Sequence, residues 1–333
     1  MIAQAAFGFD LVLAALILGT AVCAVSVRDL FGAVVFYIVY GVFIALAWLR
    51  LSAIDVALAE AALGAGLTGV LLIGAVARLT RNIEPQTQGQ SESGDADPPA
   101  ESRGTFRAKQ FPAMLAATAV SVALGWAFLT LPPAEGLRGP VAHNLAASGV
   151  TNPVTAVLLN FRSWDTLLES VVLLAALVGL WSLARDEDWG RRAGLRQHAR
   201  GKGVLATFGR LLPPFGLLLG GYLVWVGSSL PGGAFQGGTV LAAVWLLVMM
   251  AGLLRAPLTT SPGIRAVLVA GPLVFLGIGL IGALAGSFLG LPTAIAKPVI
   301  LLIEAALTLS IGATLALLVL GPPRSPPDPD SAP

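Results

Sequence analysis

The sequence predicts an all-α fold: a polytopic bundle of about nine transmembrane helices, with the N-terminus outside and the C-terminus inside. Three observations predict it. Hydrophobic residues make up 56% of the chain and charged residues only 11%, against roughly 25% charged in a soluble domain. The charges cluster, leaving apolar runs of ~20 residues, the length of helix that crosses ~30 Å of hydrocarbon. Lys and Arg are also one-sided. With the N-terminus outside, all of them except Arg50, Arg138, Arg162 and Lys297 fall inside.

The spans follow in order. The first runs from Phe7 to Val27 and stops at Arg28-Asp29, and the second from Leu30 to Leu49 stops at Arg50. The third is Ser52 to Leu79. The polar stretch after it is rich in Gln, Ser, Glu, Asp and Pro, so it buries too little apolar surface to fold and is expected to be disordered. The fourth span is Phe111 to Leu131, followed by a long loop to Ser163, and the fifth is Trp164 to Ala184. A basic loop from Arg185 to Lys202 leads to four more, near Leu205–Val226, Phe235–Leu254, Ile264–Phe288 and Thr293–Leu320. The Pro-rich tail is expected to be disordered.

Several function classes lose support. No basic tract carries interleaved aromatics, so nucleic acid is not an expected partner. Cys23 has no second cysteine to pair with and sits in an apolar run. The first span lacks the positive n-region of a signal peptide and is expected to stay in the protein. His143 and His198 lie in separate loops, so no metal site, cofactor or catalytic group of its own is expected.

Acids inside the spans need a reason, because an ionised side chain at mid-membrane costs at least ~2.5–3.5 kcal/mol. Glu60 lies ~12 Å into the third span at 1.5 Å per residue, with Gly64 and Thr68 continuing its face. It is either a hydrogen-bonded structural carboxyl or, preferably, part of an ion or proton relay. Asp55 is nearer the surface, on a different face, and is either a helix-start residue or a member of that path. Asp165 and Glu169 share a face of the fifth span at i,i+4. Ser163 is expected to cap that helix, and Asp165 suits its first turn. Lys297 and Glu304 are seven apart on the ninth span. Lys297 precedes Pro298, where the helix starts or kinks, and can reach the interface. Glu304 has no such escape and can pass a proton.

A glycine-rich stretch, Pro231-Gly232-Gly233-Ala234-Phe235-Gln236-Gly237-Gly238, separates the sixth and seventh spans. No GK[ST] follows, which argues against a phosphate loop. A compact re-entrant turn with Gln236 facing inward is expected. The pairs Gly216/Gly220 and Gly282/Gly286 have the small-xxx-small spacing of helix packing.

Three of these stretches carry a resemblance. Asp55 to Gly66, reading DVALAEAALGAG, resembles the D subunit of membrane-bound hydrogenases and the matching module of the large A subunit of Mrp-type sodium/proton antiporters. Asn152 to Glu169, reading NPVTAVLLNFRSWDTLLE, resembles the E module that follows it there. Pro231 to Gly238 resembles the hallmark of the Mrp B subunit. The resemblance implies a D-like module over 1–80, a cytoplasmic linker over 81–110 and an E-like module over 111–185. It continues with a basic loop over 186–204, a B-like domain over 205–320 and a tail over 321–333. It further implies a subunit of a complex-I-like membrane assembly, with Glu60, Asp165 and Glu169 functionally important. The implied partners are large antiporter-like subunits and small C-, E-, F- and G-type subunits, moving protons and sodium or another monovalent cation across a bacterial or archaeal cytoplasmic membrane. The same subunit type coupled to a redox arm, and a purely structural subunit, are the alternatives.

Overall fold

The structure, a computed structural model, describes residues 2–87, 101–132, 136–194, 203–284 and 286–324. These residues are helical with short connections and contain no named strand. The long helices are α1 (Ile2–Ser26), α2 (Leu30–Arg50), α4 (Thr68–Thr87), α5 (Glu101–Thr130), α8 (Ser163–Trp181), α11 (Ala234–Met250), α12 (Pro262–Leu284) and α13 (Thr293–Leu320). Between them lie α3 (Ile54–Ala59), α6 (Arg138–Asn144), α7 (Pro153–Ala156), α9 (Val204–Leu211) and α10 (Pro213–Val226).

Seven helices among the described residues are long and apolar enough to cross a membrane, and eight if the α9–α10 pair, bent by 41°, counts as one span. The protein is therefore a multi-pass membrane protein. The remaining expected span, Phe235–Leu254, corresponds to α11, which is apolar but has only 17 residues. It ends at Met250, and Gly252 follows in the left-handed region at φ +72°, a conformation that closes a helix.

The chain divides into two compact units, 1–76 with 141–333, and 77–140. The second holds α5, whose apolar window runs from Pro112 to Thr130. Helix also occupies 81–87 and 101–110, within the stretch whose composition predicts disorder. Extending an existing helix costs far less than nucleating one, so apolar spans propagate into polar flanks. Residues 88–100 lie outside the described set.

In the larger unit α13 is the most buried span. It packs against α8, α11 and α12, and Ile300, Ile303, Leu307, Ile311 and Leu317 are almost wholly enclosed. Glycines let the neighbours come close. A Cβ on Gly271 of α12 would lie 2.9 Å from the Leu307 Cα. One on Gly238 of α11 would lie 2.8 Å from Ile311, and one on Gly237 would lie 3.0 Å from the Gly220 carbonyl. Gly216 meets Val244, so the Gly216/Gly220 pair packs α10 on α11. The Gly282/Gly286 pair does not pack helices. Gly282 meets the following loop at Leu289, and Gly286 lies past the helix end at φ +126°.

The loops of this unit meet in two groups. Thr151 and Asn152 donate backbone N–H bonds to the Ser228 carbonyl, at 3.1 Å each. Gly149 lies against Thr293 and Ala296, and Trp164 stacks on Phe288 with ring centroids 4.0 Å apart. In the second group Thr259 donates to the Arg191 carbonyl, Gly194 to that of Pro322 and Arg324 to that of Arg192. The start of the tail is thus held through Arg324, and the start of the basic loop with it. Isolated antiparallel bridges pair Arg192 with Leu258 and Ala193 with Pro323. This pairing satisfies backbone groups that would otherwise need water.

Candidate functional site

The site is assembled around the connection from Gly227 to Gly233. Its backbone runs through conformations only glycine holds easily, with φ +158° at Gly232 and +118° at Gly233. From one side the segment before α8 supports it. Asn152, 5% exposed, caps α7 by accepting from the Val154 N–H (2.9 Å) and donates its amide to the carbonyls of Gly227 (3.1 Å) and Leu230 (3.0 Å). The Thr155 hydroxyl also donates to the Gly227 carbonyl. From the other side comes the first turn of α3. The Gly232 N–H donates to Asp55 Oδ1 at 2.9 Å, and Gln236 Nε2 donates to the Asp55 carbonyl at 3.1 Å. Gln236 therefore faces inward, as the glycine-rich turn implies.

Glu304 of α13 lies beneath this connection and is 4% exposed. Its Oε1 is 3.1 Å from the point where a Cβ would sit on Gly227, and equally 3.1 Å from that point on Gly233. Its Oε2 is buried without a hydrogen-bond partner among the described residues. The Thr308 hydroxyl, one turn on, donates to the Glu304 backbone carbonyl at 2.7 Å and leaves the carboxylate alone. Three sequence-distant stretches, around Asp55, Asn152 and Gly227–Gln236, thus meet above one enclosed acid.

Glu60 lies elsewhere on the same span. It opens a π-helical segment, Glu60–Leu67, between α3 and α4. The wide turn shifts the register, so Thr68 Oγ1 donates to the Leu63 carbonyl five residues back at 2.8 Å. Glu60 folds over Gly64, where a Cβ would collide with its Oε1. Gly41 of α2 abuts this segment, with a Cβ there 3.1 Å from the Ala65 nitrogen. Glu60 is partly buried, with its carboxyl against Gly64.

Asp165 and Glu169 share the outward face of α8 with Trp164, Leu168 and Val172. Asp165 pairs with Arg162 at 2.6 Å, both largely exposed. Arg162, not Ser163, occupies the N-cap position, because a second π-type segment, Val157–Phe161, runs directly into the helix and Ser163 is buried as its first residue. Lys297 is exposed although Glu304, on nominally the same face, is buried. α13 runs unbroken from Thr293 through Pro298, and in its first turns Ala296 and Ile300 face the interior while Lys297 lies exposed. The structure brings Asp55 and Glu304 to one junction and leaves Glu60, Asp165, Glu169 and Lys297 apart from it.

Two features escape a reading of the sequence. Arg50 Nε donates to Asp10 Oδ1 at 2.7 Å, tying α1 to the end of α2; the signal is an acid and a base each at the edge of an apolar run. The other is the grip of Asn152 and Thr155 on Gly227, although an Asn-Pro helix start marks Asn152 as a cap. No group of three or more metal-ligating side chains occurs among the described residues.

Residues 15–81 match the family of the D subunit of MBH. Residues 204–321 match the domain related to the MnhB subunit of the Na+/H+ antiporter. Among solved structures, the chain resembles one in the Mrp complex from Dietzia sp. DQ12-45-1b, at 24% identity and a TM-score of 0.68 over 96% of this chain. The match spans 35% of the Dietzia chain's length. A chain of the membrane-bound sulfane sulfur reductase, an archaeal respiratory membrane complex, matches at 26% identity and a TM-score of 0.52, covering 64% of this chain and 98% of that one. No curated protein matches the sequence.

Proposed function

We propose that this chain, an Mrp- and membrane-bound-hydrogenase-type membrane subunit carrying a D-like and a B-like module, serves a multisubunit monovalent cation/proton antiporter related to complex I. In that assembly it lends carboxylates to an ion or proton path and performs no catalysis of its own. The observation that carries the reading is the junction. A D-like acid, Asp55, is held by the B-like connection at Gly232 and Gln236, directly over the enclosed acid Glu304. Acids from both modules therefore share one polar point. Glu60, further along the D-like module, is a second step, and Lys297 is an exposed charge near the start of α13.

The outward face of α8 supports partner subunits. Asp165 pairs with Arg162 in the first turn, but Glu169 lies among exposed apolar side chains, and a charge facing lipid costs on the order of 2.5–3.5 kcal/mol near mid-membrane. A neighbouring helix with polar groups removes that cost. Large antiporter-like subunits and small C-, E-, F- and G-type subunits supply such helices. The E-like reading of 111–185 fits this arrangement. The distribution of Lys and Arg supports an outside N-terminus, in a bacterial or archaeal cytoplasmic membrane. The junction then lies toward the outer surface.

A second reading is favoured by the D-type match and by the likeness to a sulfane sulfur reductase chain: the same subunit type joined to a redox arm. Isolating the complex from native membranes and identifying its chains tests both. Antiporter-like and small membrane subunits alone support the antiporter. Co-purifying iron–sulfur or nickel-bearing subunits overturn it in favour of the redox arm.

A further inference from the structure

We infer that the end of the larger unit where α8, α11 and α13 finish and α12 begins is a binding surface for the headgroups of anionic phospholipids, with Arg192, Arg255, Arg265 and Arg324 supplying the charge. The inference goes beyond the antiporter reading and holds equally for a complex with a redox arm. The first observation is a charge imbalance. Between Asp188 and Asp328 the sequence holds one acid, Glu304, which is enclosed beneath the Gly227–Gly233 connection. Of the acids that follow α8, Asp186, Glu187 and Asp188, the last two stand beside other arginines. Arg185 pairs with Glu187 at 3.5 Å and with Asp188 at 3.4 Å, and Arg191 lies 3.9 Å from Asp188.

The second observation is that the fold gathers the remaining arginines without cancelling their charge. The Arg324 N–H donates to the Arg192 carbonyl at 3.3 Å. The Arg192 guanidinium donates to the Ala256 carbonyl, next in sequence to Arg255. Arg265 Nε donates to the Thr259 carbonyl at 2.9 Å, and the Thr259 N–H donates to the Arg191 carbonyl. These acceptors are neutral. The side chains of Arg255 and Arg324 have no partner among the described residues, and all four arginines are exposed. A guanidinium held on one edge by a carbonyl is fixed in place and keeps further N–H groups for a phosphate.

The third observation identifies the source of that phosphate. Exposed Leu254 and Leu258 lie on either side of Arg255 in sequence. α9 breaks from α10 by 41°, and its Gly209 packs on Ala251 at the end of α11, with Val204, Leu205 and Phe208 of the same helix exposed. A free anion or a soluble acidic partner has no use for such an apolar border. A phospholipid offers a phosphate and acyl chains at one level, which matches cations bordered by apolar side chains at a membrane edge. In the proposed topology this end faces the cytoplasm, so the cytoplasmic leaflet supplies the lipid.

The test uses the whole purified complex, stripped of lipid in detergent. It is melted with increasing phosphatidylglycerol, with phosphatidylcholine of the same acyl chains, or with glycerol phosphate. Phosphatidylglycerol is expected to raise the melting temperature to a plateau that the other two do not reach. In the double variant Arg255→Gln, Arg324→Gln the half-saturating concentration should rise about tenfold or more, since each arginine near an anionic surface contributes on the order of fivefold. The double variant Arg255→Lys, Arg324→Lys should stay close to the wild type. If the glutamine double variant assembles poorly, Arg255→Gln alone reads a smaller rise. Equal stabilisation by both lipids, or an unchanged half-saturating concentration in the glutamine variants, overturns the surface. Equal protection by glycerol phosphate overturns it in favour of a free-anion site.

Discussion

The Gly232 amide donates to the Asp55 carboxylate at 2.9 Å across 177 residues of sequence, and this bond joins the D-like module to the B-like one. Replacing Asp55 by Ala leaves a partly buried N–H without its acceptor, a loss of about 1–3 kcal/mol. Asp55→Asn keeps an acceptor and removes the charge. The expected result is a lower melting temperature of the complex for Asp55→Ala than for Asp55→Asn, read by thermal melting in detergent.

Gly233 should not tolerate a side chain. At φ +118° an L-residue is strained by on the order of 1–3 kcal/mol, and the new Cβ would press on Glu304. Gly233→Ala is expected to lower the yield of assembled complex. Gly221→Ala, where nothing lies within 4 Å, should leave it unchanged. Immunoblots of membrane fractions after native electrophoresis compare the two.

Asn152 holds two carbonyls of the connection at once. Asn152→Ala leaves the Leu230 carbonyl without this donor, while Gly227 keeps Thr155. A cost of about 1 kcal/mol follows from one part-buried hydrogen bond lost. Protease sensitivity of the Ser228–Pro231 segment should rise in Asn152→Ala and not in Ser182→Ala, an exposed hydroxyl outside the site.

Gly64 makes room for Glu60. A Cβ at Gly64 would collide with Glu60 Oε1, so Gly64→Ala must displace the carboxyl. Transport in Gly64→Ala should fall in parallel with Glu60→Gln while both complexes assemble. Normal exchange in Gly64→Ala would show that the position of the carboxyl is immaterial.

Much of this is legible in the residues. The spans follow from apolar runs between charge clusters, and the inward Gln236 follows from a glycine-rich turn that lacks the marks of a phosphate loop. The depth of Glu304 follows from its place in an unbroken apolar run. Other features depend on partners that no local pattern names. The sequence leaves Asp55 open between a helix start and a member of the path, because its acceptor role needs Gly232, far away in sequence. Lys297 and Glu304 share a face by spacing, yet Lys297 is exposed beside the fully buried Ala296 while Glu304 is enclosed. Ser163 has the chemistry of a cap, but a π-type turn before it moves the helix start. The helical flanks at 81–87 and 101–110 are hidden by a composition typical of disorder, since propagation from an existing span does not depend on apolar content.

The most direct test of the central claim is cation/proton exchange in everted vesicles that contain the assembled complex with Glu60→Gln. The substitution keeps size and hydrogen bonding and removes only the ionisable group. The account predicts an intact complex, by subunit composition, with exchange lost. Full exchange by an intact Glu60→Gln complex would contradict it and leave Glu60 a role in helix packing alone.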